Sequence, residues 1–166
     1  MKKMIYAFLV LLPLSGFAHD QFAGSWKSAE AKINFYSEMG TIQYENCPVE
    51  INISVKPNGT NEKLVTINQL KSTCSNPDFW DFNQFLPVTT FIVSTRTHQV
   101  TLDGKDAGTM TAHKMYIKYD RDGEFMFLEG ALNSEGQFQF EWSLRSYETV
   151  NFDLNGTLSK VLTNHL

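Results

Sequence analysis

The chain has 166 residues, 42% hydrophobic and 19% charged, with 18 acidic against 14 basic side chains and a net charge of −4. That length and apolar content suit one packed domain and leave too little for two comfortable cores. The mild acidic balance, spread along the chain, argues against a nucleic-acid or other polyanionic partner and against a disordered acidic tail.

In chain order, residues 1–18 read as a secretory leader. Lys2 and Lys3 precede an apolar run from Met4 to Leu14, and small residues stand at Gly16 and Ala18, the minus-three and minus-one positions of a cleavage site. The run falls short of the roughly 20 apolar residues that a spanning helix needs, so no membrane span is expected there or elsewhere. No cysteine near the cut offers a site for a lipid. The expected location is periplasmic or secreted, and the Met1-Lys2-Lys3 opening has a bacterial look. The expected layout is a leader over 1–18 and one domain over 19–166. Losing the leader removes two lysines and no acid, which leaves 12 basic and 18 acidic residues and a charge of −6.

From Glu45 onward the pattern has period two. Cys47, Val49, Ile51, Ile53 and Val55 alternate with mostly polar neighbours, as a half-buried strand requires. Further β-rich runs cover about 62–71, 88–102, 107–119 and 124–132. Phe138, Phe140, Trp142 and Leu144 then alternate with polar residues, as do Val150, Phe152 and Leu154. Asn58-Gly59, Asp103-Gly104, Asp122-Gly123, Glu135-Gly136 and Asn155-Gly156 punctuate the runs as turns. One segment breaks this grammar. Asn76 to Pro87 fits a short helix, with Asn76 as cap, Pro77 first and Phe79, Phe82 and Leu86 on one stripe, but Trp80, Phe82 and Leu86 also fit a strand. Such an aromatic insertion would either cap a barrel mouth or pack over one end of the core.

Cys47 and Cys74 are the only cysteines, and in an exported chain an even pair reads as one disulfide. A hairpin centred near Thr60 and Asn61 sets them opposite each other, within bridging distance. A tight Asn58-Gly59 turn would instead set Cys47 opposite Leu70, and the bridge would then tie the strand to the following loop. Neither reading makes the pair a redox centre, because there is no C-x-x-C.

Short strands joined by hairpin turns, without long amphipathic helices, give an all-β antiparallel fold that either closes into a barrel or folds into a sandwich. Phe22-Ala23-Gly24-Ser25-Trp26, just after the leader, resembles the G-x-W start of lipocalins and the wider calycin group, which includes fatty-acid-binding proteins and avidins. The resemblance implies an up-and-down barrel of about eight to ten strands. It also implies that Trp26 packs across the closed end beneath a basic side chain from a late strand, which by position is Arg145. Where lipocalins often carry a T-D-Y turn the chain has Tyr119-Asp120-Arg121-Asp122-Gly123, and the later strands show no family signature.

In such a barrel Phe91, Val93, Met115, Ile117, Phe138, Phe140 and Trp142 would form an apolar wall around a small hydrophobic ligand. The same residues would serve equally as a filled core. No catalytic motif stands out: G-x-S-x-G is absent, and no Ser, His and Asp arrangement can be singled out. His98 and His113 become diagonal neighbours if a hairpin turns at Gly104 and Lys105, but H-E-x-x-H and H-x-E are absent, and a surface role is preferred. Asp120 to Glu124 looks locally like a calcium loop but lies where a hairpin turn is wanted. His19, first after the cut, has the position of a copper-chelating amino-terminal histidine, though a frayed terminus is the simpler reading. The sequence therefore leads to a non-enzymatic exported barrel that needs no cofactor or metal and carries a small apolar ligand. The alternative is a protein-binding module, such as an inhibitor of a periplasmic or secreted enzyme, acting through the loop at 75–87.

Overall fold

Ten antiparallel strands follow one another around a single closed sheet. The computed structural model describes residues 20–38, 40–72, 88–121, 124–146 and 151–162. A short 3-10 turn, Asp20–Phe22, leads into β1 (Gly24–Ser37), β2 (Gly40–Pro57), β3 (Glu62–Ser72), β4 (Thr89–Ser94) and β5 (Gln99–Leu102). Then come β6 (Lys105–Met110), β7 (Lys114–Arg121), β8 (Glu124–Leu132), β9 (Phe138–Ser146) and β10 (Asn151–Lys160). Each strand pairs with its successor, and β10 closes back onto β1, so the fold is an up-and-down barrel with no free sheet edge along that seam. Among the described residues no helix is long and apolar enough to cross a membrane.

The inward side chains form layers that the strand register makes explicit. Nearest the start of β1 lie Leu132, Phe138 and Leu158, mutually paired across β8, β9 and β10. Above them the row runs Met115, Gly130, Phe140 and Gly156. A third row, Ile117, Leu128, Trp142, Leu154, Ile33 and Tyr44, crosses six strands with only the Trp142 indole N–H and the Tyr44 hydroxyl as polar groups. Tyr119, Met126 and Leu144 begin the fourth row, which reaches Phe35 on β1. Burying each large apolar side chain contributes about 1.5–3 kcal/mol, so these rows hold the barrel together.

Several expectations change on contact with this register. The runs at 88–102 and 107–119 are each two strands, divided at 95–98 and at 111–113. Both turns lack glycine and proline; Ser94 Oγ accepts from the Arg96 and Thr97 amides, and Thr111 Oγ1 from those of His113 and Lys114. Asn155-Gly156 is not a turn but the middle of β10, opposite Glu141 and Phe140. Glycine stands there because a methyl group would come within 3.0 Å of the Ala31 Cβ. In the β2–β3 hairpin Leu70 lies opposite Ile51, not Cys47, which removes the tight-turn alternative. A register shift between Asn52 and Ile53 brings Val49 opposite Ser72, the alignment that pairs positions summing to 121, as 47 and 74 do. Cys47 itself is fully buried. Cys74, the leader, His19 and the 76–87 segment lie outside the described residues.

Candidate functional site

The two ends of the barrel are built differently. At the Trp26 end the 3-10 turn folds across the opening and seats Phe22, with no exposed surface, against the Phe138 ring at 5.4 Å. Trp26 packs on the same ring at 5.5 Å, and its indole Nε1 donates to the Phe22 carbonyl at 2.8 Å. The inward-facing Lys63 of β3 reaches the turn as well, donating from Nζ to Asp20 Oδ1 at 2.7 Å. Lys160 Nζ lies 5.2 Å from the centre of the Trp26 ring and donates to the Gln21 carbonyl.

The basic side chain over Trp26 is therefore Lys160, and Arg145 does not occupy that place. The reason is in the register: Trp26 pairs with Lys160 on β10, whereas Arg145 lies at the opposite end of β9 and stacks over the Tyr36 ring at 5.6 Å. Gly24 makes room for the lysine. A Cβ there would meet Lys160 Cε at 2.9 Å, and the backbone φ of +126° is one that side-chain-bearing residues rarely adopt. The spacing of glycine and tryptophan thus has a local cause, since the lysine stem crosses the first to reach the second.

At the far end, where β1 finishes and β2 begins, aromatic side chains face inward but stay only partly covered. Phe35 and Tyr44 meet edge to face at 5.8 Å, and Phe91 meets Tyr119 at 5.8 Å across the barrel. Phe35, Tyr44, Ile67, Leu102 and Tyr119 are all half-buried against the core. The Tyr119 hydroxyl donates to the Met126 sulfur at 2.7 Å.

The seven residues expected to line a ligand space are all buried and share one interior. They do not share one height. Phe138, Phe140 and Met115 belong to the two lowest rows, and Val93 faces Val100 and Lys63 toward the sealed end. Ile117 and Trp142 lie in the third row, and Phe91 reaches the collar through Tyr119. Phe35, Tyr44 and Tyr119 were not anticipated. Tyr119 continues the odd-numbered set of Met115 and Ile117, and that alternation was the signal available for it.

Outside the collar, Asp153 gathers three donors on the barrel wall. Ser143 Oγ and Arg145 Nη2 each donate to Oδ1 at 2.6 Å, and the Tyr36 hydroxyl donates to Oδ2 at 2.8 Å. Burial pushes the Asp153 carboxyl up, but the hydrogen bonds from Ser143, Tyr36 and Arg145 and the guanidinium charge outweigh it, so its pKa is held below the ordinary value. Tyr36 is raised, first by its hydrogen bond to Asp153, then by burial and by the carboxylate charge. This cluster clasps β1, β9 and β10 together from outside. No imidazole is among its members and no metal group of three or more His, Cys, Asp or Glu residues occurs among the described residues. The single hairpin expected to align His98 and His113 does not form: the His98 carbonyl accepts from the Met110 amide, and the chain turns at 111–113, where the His113 carbonyl accepts from the Leu132 amide. No protein-family model matches the chain, and no curated protein matches it in sequence.

Proposed function

We propose that the chain is an exported, non-enzymatic barrel of lipocalin-like, calycin type that binds a small apolar molecule at the end opposite Trp26. The observation that carries the reading is the asymmetry of the aromatic rings, with Phe22, Trp26 and Phe138 fully buried at one end and Phe35, Tyr44 and Tyr119 half-covered at the other. A ligand resting on the third row would meet Ile117, Trp142 and Phe91, flanked by Phe35, Tyr44 and Tyr119. Met115, Phe138, Phe140 and Val93 act in this reading as floor. Apolar walls with few polar groups favour a hydrophobic guest, and the Tyr119 hydroxyl is available as a single polar anchor if the guest outcompetes the Met126 sulfur. The second reading, a protein-binding module, draws support from Ile42, which is 56% exposed near the tip of the β1–β2 hairpin at the same end.

Native mass spectrometry of the protein purified from its host, followed by titration with an environment-sensitive apolar dye, tests the first reading. An apolar adduct should co-purify, and Tyr44→Ala and Phe35→Ala should each weaken dye binding about tenfold, a cost of ~1.4 kcal/mol. The reading fails if no adduct is found and no apolar probe binds, or if binding is indifferent to both substitutions.

A further inference from the structure

The second inward row contains an oddity. Met115, Gly130, Phe140 and Gly156 stand side by side on four neighbouring strands, so bulky side chains alternate with none. The gaps are occupied. A methyl group at Gly130 would overlap the Phe138 ring, and one at Gly156 would press on Ala31. The backbone of β8 and β10 therefore lies directly on the core, and the wall is drawn inward at this height.

The outside of the barrel answers with a groove of about 670 Å3 across β6 to β10, whose lining includes the two glycines. It continues toward β1 as a hollow of about 420 Å3, and the two share Asn155, Gly156 and Thr157. Six outward side chains furnish it: Tyr116, Glu129, Gln139, Glu141, Asn155 and Thr157. The register sets Tyr116 opposite Glu129, Glu129 opposite Glu141 and Glu141 opposite Asn155, with Gln139 opposite Thr157 beside them. Within the described residues none of these six side chains hydrogen-bonds or ion-pairs with another.

Two features make this more than an ordinary polar face. Like charges directly opposite each other on adjacent strands destabilise a sheet, and Glu129 and Glu141 are so placed with no cation opposite either. Tyr116 presents a ring that is 42% exposed beside them.

We propose that this groove binds a neutral saccharide. Across the groove and its continuing hollow three acids, Glu30, Glu129 and Glu141, are matched by three lysines, Lys27, Lys32 and Lys114, so a ligand without net charge fits best. Vicinal hydroxyls can donate to the two carboxylates and accept from the Gln139 and Asn155 amides, and the apolar face of a sugar ring can lie on Tyr116. An extended peptide has no such purchase, because every strand in this wall is already paired on both sides and offers no edge to extend. The site lies outside the barrel and is independent of any guest inside it.

Titration of the full chain with short neutral oligosaccharides of glucose, of mannose and of N-acetylglucosamine, followed by calorimetry, tests the proposal, with spermine as the cationic control. At least one sugar should bind, and Tyr116→Ala and Glu141→Gln should each weaken it about tenfold. Phe35→Ala at the barrel mouth should leave it unchanged. Both groove residues are exposed, so far-ultraviolet circular dichroism should keep its wild-type shape and report that the fold is intact, while relief of the Glu129–Glu141 repulsion should set the thermal midpoint of Glu141→Gln at or above the wild-type value. Absence of binding by all three sugars overturns the proposal, as does binding that survives both substitutions. Binding of spermine in their place assigns the carboxylates to a cation and overturns it too.

Discussion

One end of this barrel is held from within and the other from without. At the Trp26 end, Phe22, Trp26 and Phe138 fill the interior, and Lys63 and Lys160 tie the covering turn down. At the opposite end the interior rings are only half-covered, and the strands are clasped by the polar cluster of Tyr36, Ser143, Arg145 and Asp153 on the outer wall. The difference has a consequence for function. In the proposed reading, a wall fastened from outside leaves the half-covered rings of Phe35, Tyr44 and Tyr119 available to a guest.

Paired substitutions make the contrast measurable. Trp26→Ala removes a fully buried ring, its hydrogen bond to Phe22 and its contact with Lys160, and should cost about 3–5 kcal/mol in urea unfolding. Tyr119→Ala at the collar should cost less than half of that, since its ring already borders solvent. Equal losses at the two positions would mean that the collar is as tightly packed as the floor, and the asymmetry would be gone. Next in size is the proposed Cys47–Cys74 bridge. Non-reducing mass analysis should find the two thiols joined, and reduction should lower stability by about 3 kcal/mol, as closing a loop of that length implies. Two free thiols in the purified protein would dispose of the bridge.

The barrel was legible in the sequence because inward positions on β9, and on β2 from Cys47 to Val55, keep period two, whereas Tyr44 lies on the other side of a register shift and breaks the phase. β1 was not, and its register shows why. Trp26 and then Ala31, Ile33 and Phe35 face inward, an even position followed by odd ones, because the ladder with β2 shifts between Ser28 and Ala31 and again before Ile33. A bulge of this kind reverses the phase and erases the alternation. The turns at 95–98 and 111–113 were hidden for a different reason, since hydroxyl groups make them and serine and threonine also populate strands. Lys160 over Trp26 depends on how β10 closes the barrel, a long-range fact that no local pattern carries. Arg145 was chosen by its lateness in the chain, and it lies on a late strand, but at the wrong end. The Asp153 cluster likewise depends on closure, since Tyr36 on β1 stands 117 residues from Asp153 on β10.

The smallest expected effect is the one that tests the outer clasp directly. The folded Asp153 carboxyl has a pKa below that of an unfolded aspartate, so the ionised form stabilises the native state. That contribution is present above the unfolded value of about 4 and is lost as pH falls through the lower folded value. Tyr36 has the opposite sign. Its folded pKa is raised, so the stability its neutral hydroxyl confers is present below about pH 10 and disappears as pH rises through the folded value. Asp153→Asn keeps the shape of the side chain but gives up the charge that Arg145 and Ser143 address. Its stability deficit against the wild type, read by urea unfolding, should be steady near neutral pH and shrink below about pH 4. Because Arg145 is partly exposed, water screens the pair, and the deficit should remain well below that of Trp26→Ala. A deficit that stays constant down to the acid limit would show that Asp153 acts only by filling space. The outer clasp at the far end would then be steric and not ionic.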